Sequence, residues 1–541
     1  MKPFRIICSL PPGRRSSLYF HKRWVGSRRM LSVASDHSAM LEFMYYLDSL
    51  KNYEKSGVPK DAGTDSDDGF DLGRMRRLLG RLGNPHSRFK AVHIAGTKGK
   101  GSTAAFLANI LRAEGYCVGC YTSPHILTVR ERISVGKSGG PVPVDQLNRL
   151  FREIKRILDE SIRIENGHLS HFEVFTSVAF TLFAEESVDI AIIEAGLGGA
   201  RDATNVIYGS ELVASVITSI GEEHLDALGG SLESIAVAKS GIIKQGRPVV
   251  LGGPFLPQIE RILRQKALAM NAPVVSASDA STRSTIKRVE VVNGRLYQLC
   301  DMVLHVHGDS QPCVELLDLK LSMLGGHQLQ NAATAICAVL CLRDSGWIVS
   351  DLSIRAGLEQ TFMLGRNQLL TAPQASALGL DAATVLLDGA HTKDSAKALV
   401  NTIRLMLSNP AVALVVAMAM DKDHVAFAKE FLSGARVEAV FLTEVSIAGA
   451  SSRSTSSTLL RDRWIRASEE LGISVLHDRM PEYSEAAMSD DRVVIVANSS
   501  LANSVQGAYQ ILKRRTGNKP AVLVITGSLH VVSSILHSLD N

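Results

Sequence analysis

The sequence predicts an α/β protein of two domains, each built on a mostly parallel sheet with helices on both faces. Three observations carry that expectation. From about Asp71 to Gly365, short apolar or β-branched runs alternate with amphipathic stretches, the pattern of strands joined by crossover helices. A second series of the same kind begins near "TAPQASALGLDAA", residues 371–383, and continues to the end of the chain. Between them, over about 285–325, the texture changes to longer alternating runs, which read as a small antiparallel annex on the first domain.

Composition bounds the answer before any element is placed. The 541 residues are 45% hydrophobic and 21% charged, with a mean hydropathy of +0.10, enough for two substantial cores. The longest apolar run, "AVALVVAMAM" from Ala411, has 10 residues, against the roughly 20 needed to span a bilayer. No membrane partner is expected. The formal charge of +5 is concentrated at one end: residues 1–35 hold eight Lys or Arg and no Asp or Glu, leaving residues 36–541 at −3. A slightly acidic body argues against a nucleic-acid partner.

Residues 1–35 are arginine-rich, contain serines and lack acids, as organelle transit peptides do. The dominance of arginine favours the mitochondrial matrix; a disordered basic tail is the alternative. Met30 would serve as a second start for a cytosolic form. The seven cysteines show no framework spacing. Cys117 and Cys120 form a lone C-x-x-C without a second pair at zinc spacing, and "YCVGCYTS" alternates like a buried strand, so they are read as core thiols of a reducing compartment.

The central domain is expected over 40–365. "SAMLEFMYYLDSL" has the 3.6-residue apolar spacing of a helix. "SGVPKDAGTDSDDGF", 56–70, reads as a flexible loop. Strands are expected at "AVHIAG", "YCVGCYT", "VDIAIIEAG", "LVASVITSI" and "PVVLGG". In the annex, Asn293-Gly294 between two strand-like runs in "RVEVVNGRLYQL" is a hairpin signature. The C-terminal domain, 372–541, takes strands from "TVLLDGAH", "ALVVAMAMDKD", "AVFLTEV", "RVVIVAN" and "AVLVITGS", sufficient for an independent Rossmann-like doubly wound unit.

Chemistry concentrates first in "HIAGTKGKGST", residues 93–103. A β-branched strand ends at Gly96, and "STAAFLANILRAEG" reads as a helix starting at Ser102. Strand, glycine-rich turn and helix N-terminus together make an anion site, because free backbone N–H groups and the helix dipole converge there. Gly96, Gly99 and Gly101 admit close approach of phosphate; Thr97 and Lys98 lie between them. Lys100 would neutralise the terminal phosphates, and Ser102 or Thr103 would donate to phosphate or metal. The first domain is therefore expected to be P-loop ATPase-like, although the spelling departs from G-x-x-x-x-G-K-[ST]: Ile94 stands at the first glycine and Gly101 separates Lys100 from Ser102.

That altered spelling, "GTKGKGS", resembles the ATP loop of the folylpolyglutamate synthase and dihydrofolate synthase family of the Mur-ligase-like superfamily. The likeness continues in order through "YTSPHILTVRERI", "HFEVFTSVAF", "IIEAGLGGARDATNV", "ITSIGEEHLDALG", "IAVAKSGIIK", "GGHQLQNAATA", "LGRNQLL" and "LLDGAHTKDSAKAL". It is closest to the eukaryotic, plant-type dihydrofolate synthases. The resemblance implies a ligase that phosphorylates a carboxylate with ATP and lets the amine of L-glutamate displace the phosphate, in a protein that is by family habit a monomer. It implies Mg²⁺ ligands at Ser123, Glu194 and His224, and ATP contacts from Asn331, Arg366 and Asp388 in addition to the loop. It implies carbamylation of Lys239 and, through the carbamate, a second Mg²⁺; from the residues alone Lys239 reads as an ordinary exposed helix lysine. His391 is assigned to the glutamate and acyl-phosphate side, with a buried capping role as the alternative. "DGAHTKDSA" departs from the D-G-A-H-N-P of bacterial members, which weakens that assignment.

Two activities share the resemblance: adding the first glutamate to dihydropteroate, and lengthening the glutamate tail of a folate. Phe172, Glu173 and Asp202 are expected on the pterin side, Glu173 as a hydrogen-bond acceptor for the pterin edge. "FE" and "GGARDATNV" are closer to dihydropteroate-using members, so dihydrofolate synthase is expected first. A phosphate-loop ATPase or kinase with a partner-binding second domain remains the alternative from another class.

Overall fold

The computed structural model describes residues 38–64, 70–279, 282–292, 295–305, 313–447, 453–477, 492–517 and 519–539. The expected presequence, Met30 and the hairpin tip Asn293-Gly294 lie outside the described residues.

In chain order the first domain comprises α1 (Leu41–Asp48), α2 (Tyr53–Ser56), α3 (Leu72–Arg81), β1 (Lys90–Ala95), α4 (Lys100–Glu114), β2 (Val118–Tyr121), β3 (Ile133–Ser134), α5 (Val144–Ile164), α6 (His171–Glu185), β4 (Ile190–Glu194), β5 (Leu212–Ile217), α7 (Leu232–Ser240), β6 (Val249–Leu251), α8 (Pro257–Ala269) and β7 (Val274–Ser276). The sheet runs β3-β2-β4-β1-β5-β6-β7, parallel except for β3, which pairs antiparallel with β2. β1 is central and Ala91 to Ala95 are all buried, as a strand covered on both faces must be. Val92 and Ile94 meet Phe106 and Ile110 of α4 on one face; Ala91 meets Phe175 and Phe180 of α6 on the other. Phosphate-loop, β2, β4 and β5 connections therefore all open at one carboxyl edge, where open α/β sheets place their ligands.

β8 (Arg283–Val292), β9 (Arg295–His305) and β10 (Cys313–Leu321) form the antiparallel annex, ordered β10-β9-β8. Val292 of β8 pairs with Arg295 of β9. Its apolar residues Met302, Leu304, Val314 and Leu316 join the same core as α9 (Gly326–Asp344) and α10 (Asp351–Gln360).

The second domain contains β11 (Gln368–Leu369), α11 (Ala372–Ala377), β12 (Val385–Leu387), α12 (Lys393–Met406), β13 (Ala411–Val416), α13 (His424–Gly434), β14 (Arg436–Leu442), α14 (Ser457–Glu470), β15 (Val475–Leu476), β16 (Val493–Ala497), α15 (Leu501–Thr516), β17 (Ala521–Thr526) and α16 (Leu529–Ser538). Its order is β11-β12-β17-β13-β14-β16-β15, parallel apart from the antiparallel edge β11. This sheet takes its first strand at Gln368, upstream of the expected start at 372, through the pairing of Gln368 and Leu369 with Leu387 and Leu386.

One further difference concerns a loop. The described part of the segment 56–70 is not a loose loop: Asp61 and Gly63 donate backbone hydrogen bonds to the carbonyls of Asp226 and Ala227, 2.8 and 2.9 Å, and Ala62 is buried. The chain is pinned there against the connection after β5. Cys120 is buried and free, its thiol pushed up to about 11 by burial, which keeps it inert. Among the described residues no helix is long and apolar enough to cross a membrane.

Candidate functional site

The turn after β1 is held from beneath before any ligand arrives. Thr97 N donates to Ser219 O at 2.7 Å and Lys98 N to Ser219 Oγ at 2.9 Å. Thr218 Oγ1 donates to Lys98 O at 2.6 Å. Lys239 Nζ donates to Gly96 O at 2.9 Å. Gly99 is left-handed at φ 84° and caps α4 without a side-chain hydrogen bond, so the first-turn N–H groups lack intrahelical acceptors and face the cavity. The helix begins at Lys100 rather than Ser102, about half a turn earlier than the apolar stripe suggests. Of the two hydroxyls, Ser102 lines the cavity. Thr103, also expected among the phosphate donors, is fully buried and does not line it.

A side chain at either glycine that turns the loop would force a neighbour to shift. A Cβ at Gly96 would overlap Thr218 Oγ1, and one at Gly99 would overlap Asn331 Oδ1. Gly99→Ala adds left-handed strain of about 1–2 kcal/mol and displaces Asn331. It should raise the KM for ATP by about tenfold or more, measured by steady-state kinetics at saturating co-substrates; an unchanged KM would show that the loop does not hold the nucleotide.

Glu194 ends β4 beside Ile94 of β1. It is buried, accepts Ser123 N at 3.1 Å, and lies 3.7 Å from Lys100 Nζ. Burial pushes its carboxyl up, against the pull of Lys100 and Arg366. Ser123 sits on a connection after β2 that is tied down from one side chain: Glu131 accepts the N–H groups of Ile126, Leu127 and Thr128 at 2.9, 2.9 and 2.8 Å. Arg132, also buried, donates to His125 Nδ1 at 2.9 Å and forks onto Glu54 at 2.8 and 2.7 Å. His224, in the connection after β5, lines the same cavity, and burial lowers its ring to about 4, leaving the neutral imidazole a metal needs. Among the described residues no group of three or more His, Cys, Asp or Glu is placed to hold a metal. A hydroxyl, one desolvated carboxylate and a neutral imidazole nonetheless fit a hard dication that completes its shell with phosphate oxygens and water, as Mg²⁺ does.

Across the cleft the second domain supplies Asp388 and His391 after β12, and the interdomain segment supplies Arg366. Asp388 is buried and accepts Asn367 N at 2.8 Å and Ala390 N at 2.9 Å, so part of its work is to shape that turn; burial raises its carboxyl while Arg366 pulls it down. His391 Nδ1 meets Gly389 O at 2.8 Å. Its Nε2 is 3.1 Å from Lys98 Nζ and 3.3 Å from Glu223 Oε1, and Lys98 Nζ is 2.8 Å from Glu223 Oε1. Glu223 was not singled out from the sequence; the acidic pair before His224 in "GEEHLD" was the available signal.

On the third wall, Phe172 packs over Gly196 and near Tyr121, with ring centroids 6.1 Å apart. Glu173 differs from its expected role as a free acceptor. Its oxygens take Arg74 at 2.8 and 3.1 Å and close a capping box with Ser170 at 2.8 Å. Asp202 accepts Leu197 N at 2.8 Å and Thr204 Oγ1 at 2.5 Å, holding the 196–204 turn. Lys239 is the largest departure from the residue-based expectation: it is buried, not exposed, behind the loop. All three walls enclose one cavity of about 2010 Å³, larger than the 300–1,000 Å³ typical of a single-ligand pocket.

The chain is similar to known proteins over most of its length. Residues 94–339 match the model of the Mur ligase middle domain, and residues 374–538 that of the dihydrofolate synthetase C-terminal domain. The chain is 36% identical over 355 residues to a dihydrofolate synthase/folylpolyglutamate synthase of Bacillus subtilis, covering 65% of this chain and 76% of the relative. It is 29% identical over 474 residues to a folylpolyglutamate synthase of Lacticaseibacillus casei, covering 86% and 94%. The crystal structure of Mycobacterium tuberculosis folylpolyglutamate synthase complexed with ADP and AMPPCP superposes with a TM-score of 0.71 at 25% identity, covering 94% of this chain and 99% of that one.

Proposed function

Since the chain belongs to the dihydrofolate synthase/folylpolyglutamate synthase family, we propose that it joins L-glutamate to 7,8-dihydropteroate with ATP, giving dihydrofolate, ADP and phosphate through an acyl phosphate. The observation that carries this reading is the meeting, in one cavity, of a preorganised phosphate turn, the Lys100–Glu194–Ser123 group and His391 from the other domain.

The triphosphate lies on the α4 N-terminus, with Lys100 against its terminal phosphates and Asn331, Arg366 and Asp388 at its flanks. Ser123, Glu194 and His224 would hold Mg²⁺, which would supply positive charge against the charge that develops on the phosphate oxygens. The benzoate carboxylate of dihydropteroate attacks the γ-phosphorus, ADP leaves, and the glutamate amine then attacks the acyl carbon while phosphate leaves with the bonding electrons. Burial of Glu194 and Lys100 removes water that would otherwise hydrolyse the acyl phosphate. Phe172 offers an apolar face to the pterin ring. Glu173, already paired with Arg74, presents a neutral rim there, and Asp202 fixes the neighbouring turn and retains acceptor capacity for the pterin edge.

The second reading is a folylpolyglutamate synthase, favoured by the names of the relatives above. Pure protein is incubated with ATP and labelled glutamate and offered dihydropteroate or tetrahydrofolate. Label entering dihydrofolate supports the first reading, and label entering only the folate tail replaces it with the second. ATP turnover independent of both pterin and glutamate would instead indicate a phosphate-loop ATPase or kinase.

A further inference from the structure

A ligase of this kind must recognise an ammonium group, strip it of a proton and present the nitrogen to an acyl carbon. The cavity already contains a primary ammonium docked in a setting suited to that task. Lys98 Nζ stands 2.8 Å from Glu223 Oε1 and 3.1 Å from His391 Nε2. These three side chains come from three separate connections: the phosphate turn, the segment after β5 and, from the second domain, the segment after β12.

The imidazole's orientation is fixed. Gly389 O, 2.8 Å from His391 Nδ1, is a carbonyl and only accepts, so Nδ1 carries the hydrogen and Nε2 of the neutral ring presents its lone pair. Ser395 Oγ accepts His391 N at 3.0 Å, anchoring the turn that aims the ring. Glu223 Oε1 lies 3.3 Å from the same Nε2. One carboxylate oxygen and one imidazole lone pair thus converge on a single –NH₃⁺ group.

We propose that Glu223 and His391 form the subsite for the α-ammonium group of the incoming amino acid, and that Lys98 fills it until a nucleotide draws the lysine aside. The proposal rests on the ligase reading above. Lys98 sits between Thr97 and Gly99 in the phosphate turn, with its side chain 40% exposed, so its flexible stem can swing toward phosphate. A triphosphate carries several negative charges against the single charge of Glu223, and the lysine follows the stronger field. The vacated carboxylate then accepts the substrate ammonium. One ammonium proton passes to His391 Nε2, the freed amine lone pair forms the C–N bond, and the C–O bond to phosphate breaks with its electrons leaving on phosphate. The second proton leaves the nitrogen to solvent.

The alternative for the same three residues is a latch that merely holds the domains together. Hydroxylamine separates the two. It captures acyl phosphates as hydroxamates and is uncharged at neutral pH, so it needs no carboxylate to bind its nitrogen. In Glu223→Gln the KM for glutamate should rise by about tenfold or more, with hydroxamate formation from ATP, dihydropteroate and hydroxylamine retained. Glu223→Asp, which keeps the charge on a shorter stem, should recover part of the glutamate affinity. Parallel loss of both products would assign Glu223 to the latch and overturn the subsite, as would an unchanged KM for glutamate. Wild-type protein that forms neither hydroxamate nor a glutamate adduct with dihydropteroate or with tetrahydrofolate removes the ligase reading itself, and the subsite with it.

Discussion

Lys100→Ala should lower kcat/KM for the ligation by about a thousandfold, roughly 4 kcal/mol of transition-state stabilisation, with little change in thermal stability. The effect is large because this lysine works where water is scarce. Its side chain is 17% exposed and its nearest acid, Glu194, 4% exposed at 3.7 Å, so the charge it brings to a transferring phosphoryl group is weakly screened. Its absence also acts through Glu194. Lys100 is the largest influence holding that carboxyl down against burial, so in the variant Glu194 drifts upward and becomes a poorer metal ligand as well. The fold is expected to survive, since Glu194 keeps the Ser123 N–H and a protonated acid tolerates burial. Lys100→Arg keeps the charge but not the compact geometry, and should recover only part of the rate. Steady-state kinetics with a thermal melt on the same samples checks this. Activity within a few-fold of wild type would mean that no phosphoryl transfer occurs at this turn.

What the sequence revealed and what it hid divide along a physical line. The long strands were legible because a parallel strand buried on both faces is written as an unbroken apolar run, as in Val412 to Val416, all buried. The phosphate turn was legible because its conformation is local: three glycines and a helix start within a few residues. β3, β11 and β15 are two residues each and exist only through their neighbours, so no periodicity announces them. β7, at three residues, is nearly as brief. The partners of the site residues were hidden for the same reason. Glu173 finds Arg74 from 99 positions away and His391 finds Glu223 from 168 away. An acid expected to face substrate is instead held by an arginine on another helix, and an acid passed over becomes the hub of the cleft. Lys239 was the plainest case: α7 is rich in alanine and serine, so its sequence leaves the buried face undetermined until the helix packs behind the loop.

Lys239→Ala should abolish most activity, by a factor on the order of a hundred or more, and short-chain carboxylic acids should restore a measurable part of it. The lysine is buried, and among the described residues its hydrogen-bond acceptor is Gly96 O, 2.9 Å away. Burial, then repulsion from Lys100, lowers its amine to about 7. Near pH 8 the neutral amine therefore predominates, and that is the form that adds CO₂ to give a carbamate with release of a proton. Conversion turns a cation disfavoured beside Lys100 into an anion attracted by it. Because the folded value lies below the ordinary lysine value of about 10.4, the unfolded chain binds more protons between these two pH values. In the unmodified protein, burying this lysine therefore costs most stability below pH 7, and stability rises from pH 7 towards 10.4; Lys239→Ala should flatten that slope in denaturant titrations. Rescue then separates two roles for the residue. If its function is an anion formed on the amine, acetate or formate entering the vacated space restores ligation and ethylamine does not. If its function is the hydrogen bond that supports Gly96, ethylamine restores it and the acids fail, and the carbamate is refuted.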